Sequence, residues 1–243
     1  MPTKRPATKN PSNKRPAPQG PAPKRPAKQR LTTQRLLQLV LLVGVLALIG
    51  LLVATILSSL PDTPASDAQV VRENSHVLNQ APDEKAVLVE FLDFECEVCR
   101  AYYPTVEQLR EENADELTLV MRYFPIPGHT NSTNAAVAVE AAAGQGQLEP
   151  MYQRMYETQA EWGEAQESKT DVFRGFAQDL GLDMDTFDAA IADPATTERV
   201  QADFDEGRAL GVEGTPTFFL DGERLEVETP DDLIQAVQAA IEE

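Results

Sequence analysis

The near-continuous apolar run AVLVEFLDF, Ala86–Phe94, leads into CEVCRAYYPTVEQLREE, Cys96–Glu112, which reads as a helix. LTLVMRYF, Leu117–Phe124, then reads as a second strand closed by the turn PIPG. An apolar run of this kind suits a strand buried on both faces, with Glu90 its conspicuous exception. Strand, helix and strand in this order make a βαβ unit with a parallel pair. That unit restricts the chain to an α/β fold more tightly than any other feature. Pro104 lies inside the helix and predicts a kink there. From about residue 131 to 204 the apolar spacing is helical throughout, with Gly181 and Asp193-Pro194 as stops. TPTFFLDGERLEV, Thr215–Val227, reads as a strand, an Asp221-Gly222 turn and a second strand. Pro230–Glu242 closes the chain as an amphipathic helix. The predicted order is βαβ, a helical block, then ββα.

Upstream, Leu36–Leu60 is a stretch of 25 residues without a charge. As a helix it would extend about 37 Å, against roughly 30 Å of hydrocarbon in a bilayer. A cleaved signal peptide would have a shorter apolar region, about 7–15 residues, and a small-residue cleavage site. Ten Lys and Arg precede Leu36, and residues 1–61 contain no Asp or Glu. A base-rich flank on that side places the N-terminus in the cytoplasm and the rest outside. The expected organisation is a disordered basic tail over 1–35, with KRPA repeated at 4–7, 14–17 and 24–27, and a transmembrane helix over 36–60. A linker over 61–72 and a folded domain over 73–243 follow. Residues 62–243 hold the other 11 bases and all 39 acids, so the domain should repel nucleic acid, and none is expected as a partner.

The chain has two cysteines, Cys96 and Cys99, separated by Glu97 and Val98. A structural zinc site wants four Cys or His ligands. With two histidines at 76 and 129 and no paired spacing, no metal is expected. A purely structural disulfide between these positions would close a very small loop and restrict the unfolded chain little. A redox dithiol fits better. Cys96 would sit at a helix start, where unpaired N–H groups and the positive end of the macrodipole favour a thiolate. Cys99, one turn on, could reach back to release a mixed disulfide. A C-x-x-C beside a βαβ pattern is a redox signature.

FECEVC (Phe94–Cys99), Pro104, GTPTFF (Gly214–Phe219) and the helical block between the two halves resemble the DsbA-like thioredoxin-fold proteins, specifically the membrane-anchored bacterial type. The resemblance covers about residues 70–243. It implies a thioredoxin fold with an all-helical insertion at about 131–204 and no cofactor. It also implies that Pro216 is cis and that Thr215 offers its backbone to an extended substrate. Glu90, six residues before Cys96, matches the family's buried acid and would move a proton to or from Cys99. The alternative for Glu90 is an edge-strand acid facing water. His129 reads as a capping or structural loop residue, and Trp162, Tyr152, Met155 and Tyr156 as the core of the helical block.

The expected function is an extracytoplasmic thiol–disulfide oxidoreductase that introduces disulfides into exported proteins with cysteines. A membrane redox partner would reset the dithiol, and the lipid bilayer would hold residues 36–60. A reductase working in the opposite direction is the alternative, and a tethered, non-catalytic binding module with an inert bridge is a third possibility. Asp93, Glu95 and Glu97 should oppose charge on Cys96, so its pKa should lie above that of the strongest oxidants.

Overall fold

A computed structural model describes residues 35, 38, 40–46, 49 and 68–242. Most of the expected basic tail, much of the expected membrane span and the linker as far as 67 lie outside the described residues. Residues 40–46 are helical, and Val40, Leu41, Leu42, Val43, Val45 and Leu46 are exposed. Among the described residues, no helix is long and apolar enough to cross a membrane. The chain divides into two units, Met1–Asp62 and Thr63–Glu243. The second carries the fold that follows.

Five strands form one sheet: β1 (His76–Asn79), β2 (Ala86–Leu92), β3 (Leu117–Tyr123), β4 (Thr217–Leu220) and β5 (Glu223–Arg224), in the order β1-β3-β2-β4-β5. The expected parallel pair is β2 and β3, in register from Ala86 opposite Leu117 to Leu92 opposite Tyr123. β4 runs antiparallel to β2, which makes β2 central. A central strand buried on both faces explains its unbroken apolar sequence. Glu90 therefore has neighbours on both sides, Met121 and Phe218, and is not an edge acid.

Helix α1 (Glu97–Glu112) joins β2 to β3 and buries Cys99, Tyr102, Val106 and Leu109, a helical spacing of three and four. With the closing helix, here called α7 (Pro230–Glu242), it covers one face of the sheet, packing Leu88, Leu119 and Phe218 against Val106, Leu233 and Val237. Between β3 and β4 come α2 (Ser132–Ala143), α3 (Leu148–Trp162), α4 (Thr170–Asp179), α5 (Met184–Ala192) and α6 (Pro194–Ala209). Asp193 both stops α5 and caps α6, with its side chain accepting from the Ala195 N–H, and the block ends five residues beyond the expected 204, just before Gly211 takes a left-handed φ of 84°. Trp162, Tyr152, Met155 and Tyr156 lie in the core of the block, as expected. α6 covers the other face of the sheet, where Phe204 stacks near Phe124 at 4.6 Å between centroids.

The Asp221-Gly222 turn has left-handed φ values of 50° and 85°, the geometry of a two-residue hairpin. Asp221 also ties the hairpin to β2, its Oδ1 accepting from the Val87 N–H at 2.8 Å. β1 was not expected. It pairs antiparallel with β3 and has only four residues, too few to show a period against the turns around it.

Candidate active site

β2 stops at Leu92, and Asp93–Cys96 turn the chain into α1. Asp93 builds the turn: its Oδ1 accepts from the Glu95 N–H at 2.9 Å and its carbonyl from the Cys96 N–H at 3.2 Å. Cys96 is then the N-cap of α1, with extended φ and ψ of −72° and 120°. In that position its sulfur faces the free N–H groups of the first turn. The Cys96 pKa is lowered to about 6 from an ordinary 9.0. The largest cause is a hydrogen bond from the Cys99 thiol. Burial opposes it, and Thr215 and the Val98 and Cys99 N–H groups reinforce it. Cys99 is fully buried and moves the other way, well above 9.0, chiefly through burial and then through its bond to Cys96 and the charge of Glu90. Both are free cysteines in this structure.

Thr215–Pro216 is a cis peptide, as the resemblance implied. Its loop comes against the dithiol, and the Cys96 Sγ–H donates to the Thr215 carbonyl at 3.4 Å. Ionisation removes that donor. The Thr215 hydroxyl, buried without a partner, is free to donate to the thiolate in its place.

Glu90 is only 3% exposed, and its pKa is raised to about 8 by burial, then by the charges of Glu107 and Cys96. It is therefore an acid near neutrality that influences Cys99. Glu90, Cys96, Cys99, Thr215 and Pro216 are all placed around the start of α1 or on strands and loops beside it.

Four participants, Asp93, His129, Glu95 and Gln159, are not legible as such in the sequence. Asp93 does not stand as a bare charge beside Cys96: it is buried, and its Oδ2 takes the Ile126 N–H at 3.0 Å and His129 Nδ1 at 2.6 Å. Burial alone would lower the His129 pKa. The charge and hydrogen bond of Asp93, with Glu95 and Cys96 near, raise it instead. His129 is thus more than a loop cap: it is tied to the turn before α1 and holds its proton more firmly than an ordinary imidazole. Glu95 is buried as well, and its Oε2 accepts from the Asn131 N–H at 2.6 Å. Gln159 on α3 reaches under the turn, where its Nε2 donates to the Phe94 and Cys96 carbonyls at 2.7 and 2.9 Å. A polar residue on the inner face of a helix is the signal that could have identified it. Two acids inside an otherwise apolar stretch are the corresponding signal for Asp93 and Glu95.

The family model described as Thioredoxin matches residues 78–239, and the chain belongs to this family. Its fold is that of DsbA-like thiol–disulfide oxidoreductases. Among solved structures it is similar to a thioredoxin-like oxidoreductase from Silicibacter pomeroyi DSS-3, at 26% identity and TM-score 0.60, covering 73% of this chain and 98% of that one. It also shares the fold of alpha-DsbA1 from Wolbachia pipientis, at 16% identity and TM-score 0.60, covering 74% and 96%. Among curated proteins it is 38% identical over 143 residues to the Na(+)/H(+) antiporter NhaA of Herminiimonas arsenicoxydans, covering 59% of this chain and 22% of that one. The chain spans less than a quarter of that relative's length.

Proposed function

We propose that this protein is a membrane-anchored, extracytoplasmic thiol–disulfide oxidoreductase that introduces disulfides into exported proteins. The observation that carries the reaction is the opposite displacement of two sulfurs one helical turn apart: Cys96 down to about 6 and Cys99 well above its ordinary value. A substrate thiolate attacks Cys96 Sγ of the oxidised pair. The Cys96–Cys99 bond breaks, its electrons pass to Cys99 Sγ, and the buried sulfur takes a proton, for which Glu90 is the nearby acid. A second substrate thiolate then attacks the substrate sulfur of the mixed disulfide. Cys96 leaves as a thiolate, and a low pKa makes it a good leaving group. The substrate has lost two electrons, the dithiol has gained them, and a membrane redox partner would take them on.

The anchor and its orientation rest on the 25-residue uncharged run, the exposed apolar side chains over 40–46, and the ten bases that precede the run. An oxidising compartment would let such a disulfide persist. The test is trapping with the Cys99→Ser chain in cells. Covalent adducts on Cys96, reversed by reductant, are expected with exported cysteine-containing proteins. A chain that yields no adduct, or only adducts with cytoplasmic proteins, would sink the proposal.

A further inference from the structure

Beside Cys96 the surface sinks into two adjoining recesses of about 220 and 350 Å³, and Glu95, Glu97 and Glu164 line both. His129 contributes to the first, and Arg100 and Gln159 to the second. Glu95 is 3% exposed; the Asn131 N–H satisfies its Oε2, but Oε1 has no partner. A buried acceptor left open in this way is costly unless something donates to it. Glu97 and Glu164 are exposed at the rim, Glu164 with a left-handed φ of 59°. Of the bases, His129 is committed to Asp93 at 2.6 Å, which leaves Arg100 to face three carboxylates. Among the described residues, no group of three or more His, Cys, Asp or Glu is spaced to hold a metal ion. The missing charge is therefore better supplied by an organic cation.

Glu95 and Glu97, which flank Cys96 in the chain, line both recesses, so these lie next to the turn that carries the reacting sulfur. A mixed disulfide would hold the substrate cysteine's Cα roughly 5.5–6 Å from that of Cys96. The side chains on either side of the substrate cysteine must then pass these acids, within reach of a Lys or Arg stem. We infer that the recesses receive a basic side chain flanking the substrate's cysteine, so that the protein prefers cysteines in basic surroundings. This rests on Cys96 being the exchanging sulfur.

The test uses the 243-residue chain in detergent with Cys99→Ala. The probes are peptides with one cysteine, flanked by Arg, Ala or Glu, each joined to thionitrobenzoate through a disulfide. The Cys96 thiolate attacks the peptide sulfur, the Cys96–peptide disulfide forms, and coloured thionitrobenzoate leaves with the electron pair of the broken bond. The Arg peptide should react about tenfold faster than the Ala peptide at low salt, and the Glu peptide more slowly. Glu97→Gln and Glu164→Gln should each cut the Arg-to-Ala ratio by about threefold, with the Ala peptide cancelling any change in Cys96 itself. Glu111→Gln with Glu112→Gln, at the far end of α1, should leave the ratio alone. A ratio near one in the parent, a ratio insensitive to the first two changes, or an equal fall with the distant pair overturns the inference while the redox reading stands. If no peptide reacts with Cys96, both fall.

Discussion

Glu90 and Cys96 couple the site to folding in opposite directions. The unfolded chain gives up the Glu90 proton near 4.5, whereas the folded chain holds it to about 8. Across that window the unfolded state binds fewer protons, so Glu90 lowers stability as pH rises. Cys96 is the reverse: unfolded it keeps its proton to about 9.0, folded only to about 6, so stability rises across that interval. In the reduced protein the two effects offset one another between pH 6 and 8. Oxidation removes the Cys96 ionisation and leaves Glu90 alone. Urea unfolding of the oxidised protein should therefore show stability falling by about 3–5 kcal/mol from pH 4.5 to 8, and Glu90→Gln should abolish most of that fall. A profile that is unchanged in the variant would remove Glu90 from this role. At the same scale, titration of the thiolate absorbance should place Cys96 near 6. Thr215→Val should raise that value, because the hydroxyl free to meet the thiolate is gone. A Cys96 pKa between those of the strongest oxidants, about 3.5, and of thioredoxin, about 7, implies a potential between roughly −120 and −270 mV. A value near the upper end would favour the oxidase direction, and one near the lower end the reductase.

Gly207 on α6 shows how closely the elements meet. A Cβ there would fall 2.8 Å from Phe124 Cδ2 and 3.0 Å from Phe91 Cδ1, both rings being part of the packed core. Gly207→Ala should cost about 1–3 kcal/mol by overpacking, visible as a lower urea midpoint with an unchanged slope. A neutral change would mean that α6 can lift off the sheet. Gln159 is the other junction, because a helix of the inserted block holds the two carbonyls around the catalytic turn. These contacts mark what the sequence could and could not disclose. β2, α1 and β3 were legible because their apolar spacing is long and local. The Asp221-Gly222 turn was legible because two residues set it. β1 was too short to show a period. The Asp93–His129 and Glu95–Asn131 bonds each join residues 36 apart, so no local pattern announces them. Without them, the acids before Cys96 read as exposed repulsion, where the structure buries Asp93 and Glu95.

At the scale of the molecule, Arg122 decides where the folded domain begins. Arg122 on β3 is completely buried, and its Nε and Nη2 donate to Asp203 and Glu206 on α6 at 2.7 and 2.6 Å. Its Nη1 donates to the Gln69 and Val70 carbonyls at 3.0 and 2.9 Å, and Arg72 reaches Asp203 at 2.9 Å. Residues 69–72, expected as part of a linker, thus belong to the charge network that holds α6 on the sheet. A buried donor left without its acceptor costs about 1–3 kcal/mol. A chain beginning at Ser75 keeps the Asp203 and Glu206 partners of Arg122 but loses both carbonyls and Arg72, and should be less stable by about that amount. A chain beginning at Ala68 keeps all three and should unfold at the same urea concentration as the full unit. If the two truncations unfold alike, Arg122 finds water or other partners, and residues 69–72 add nothing to the fold.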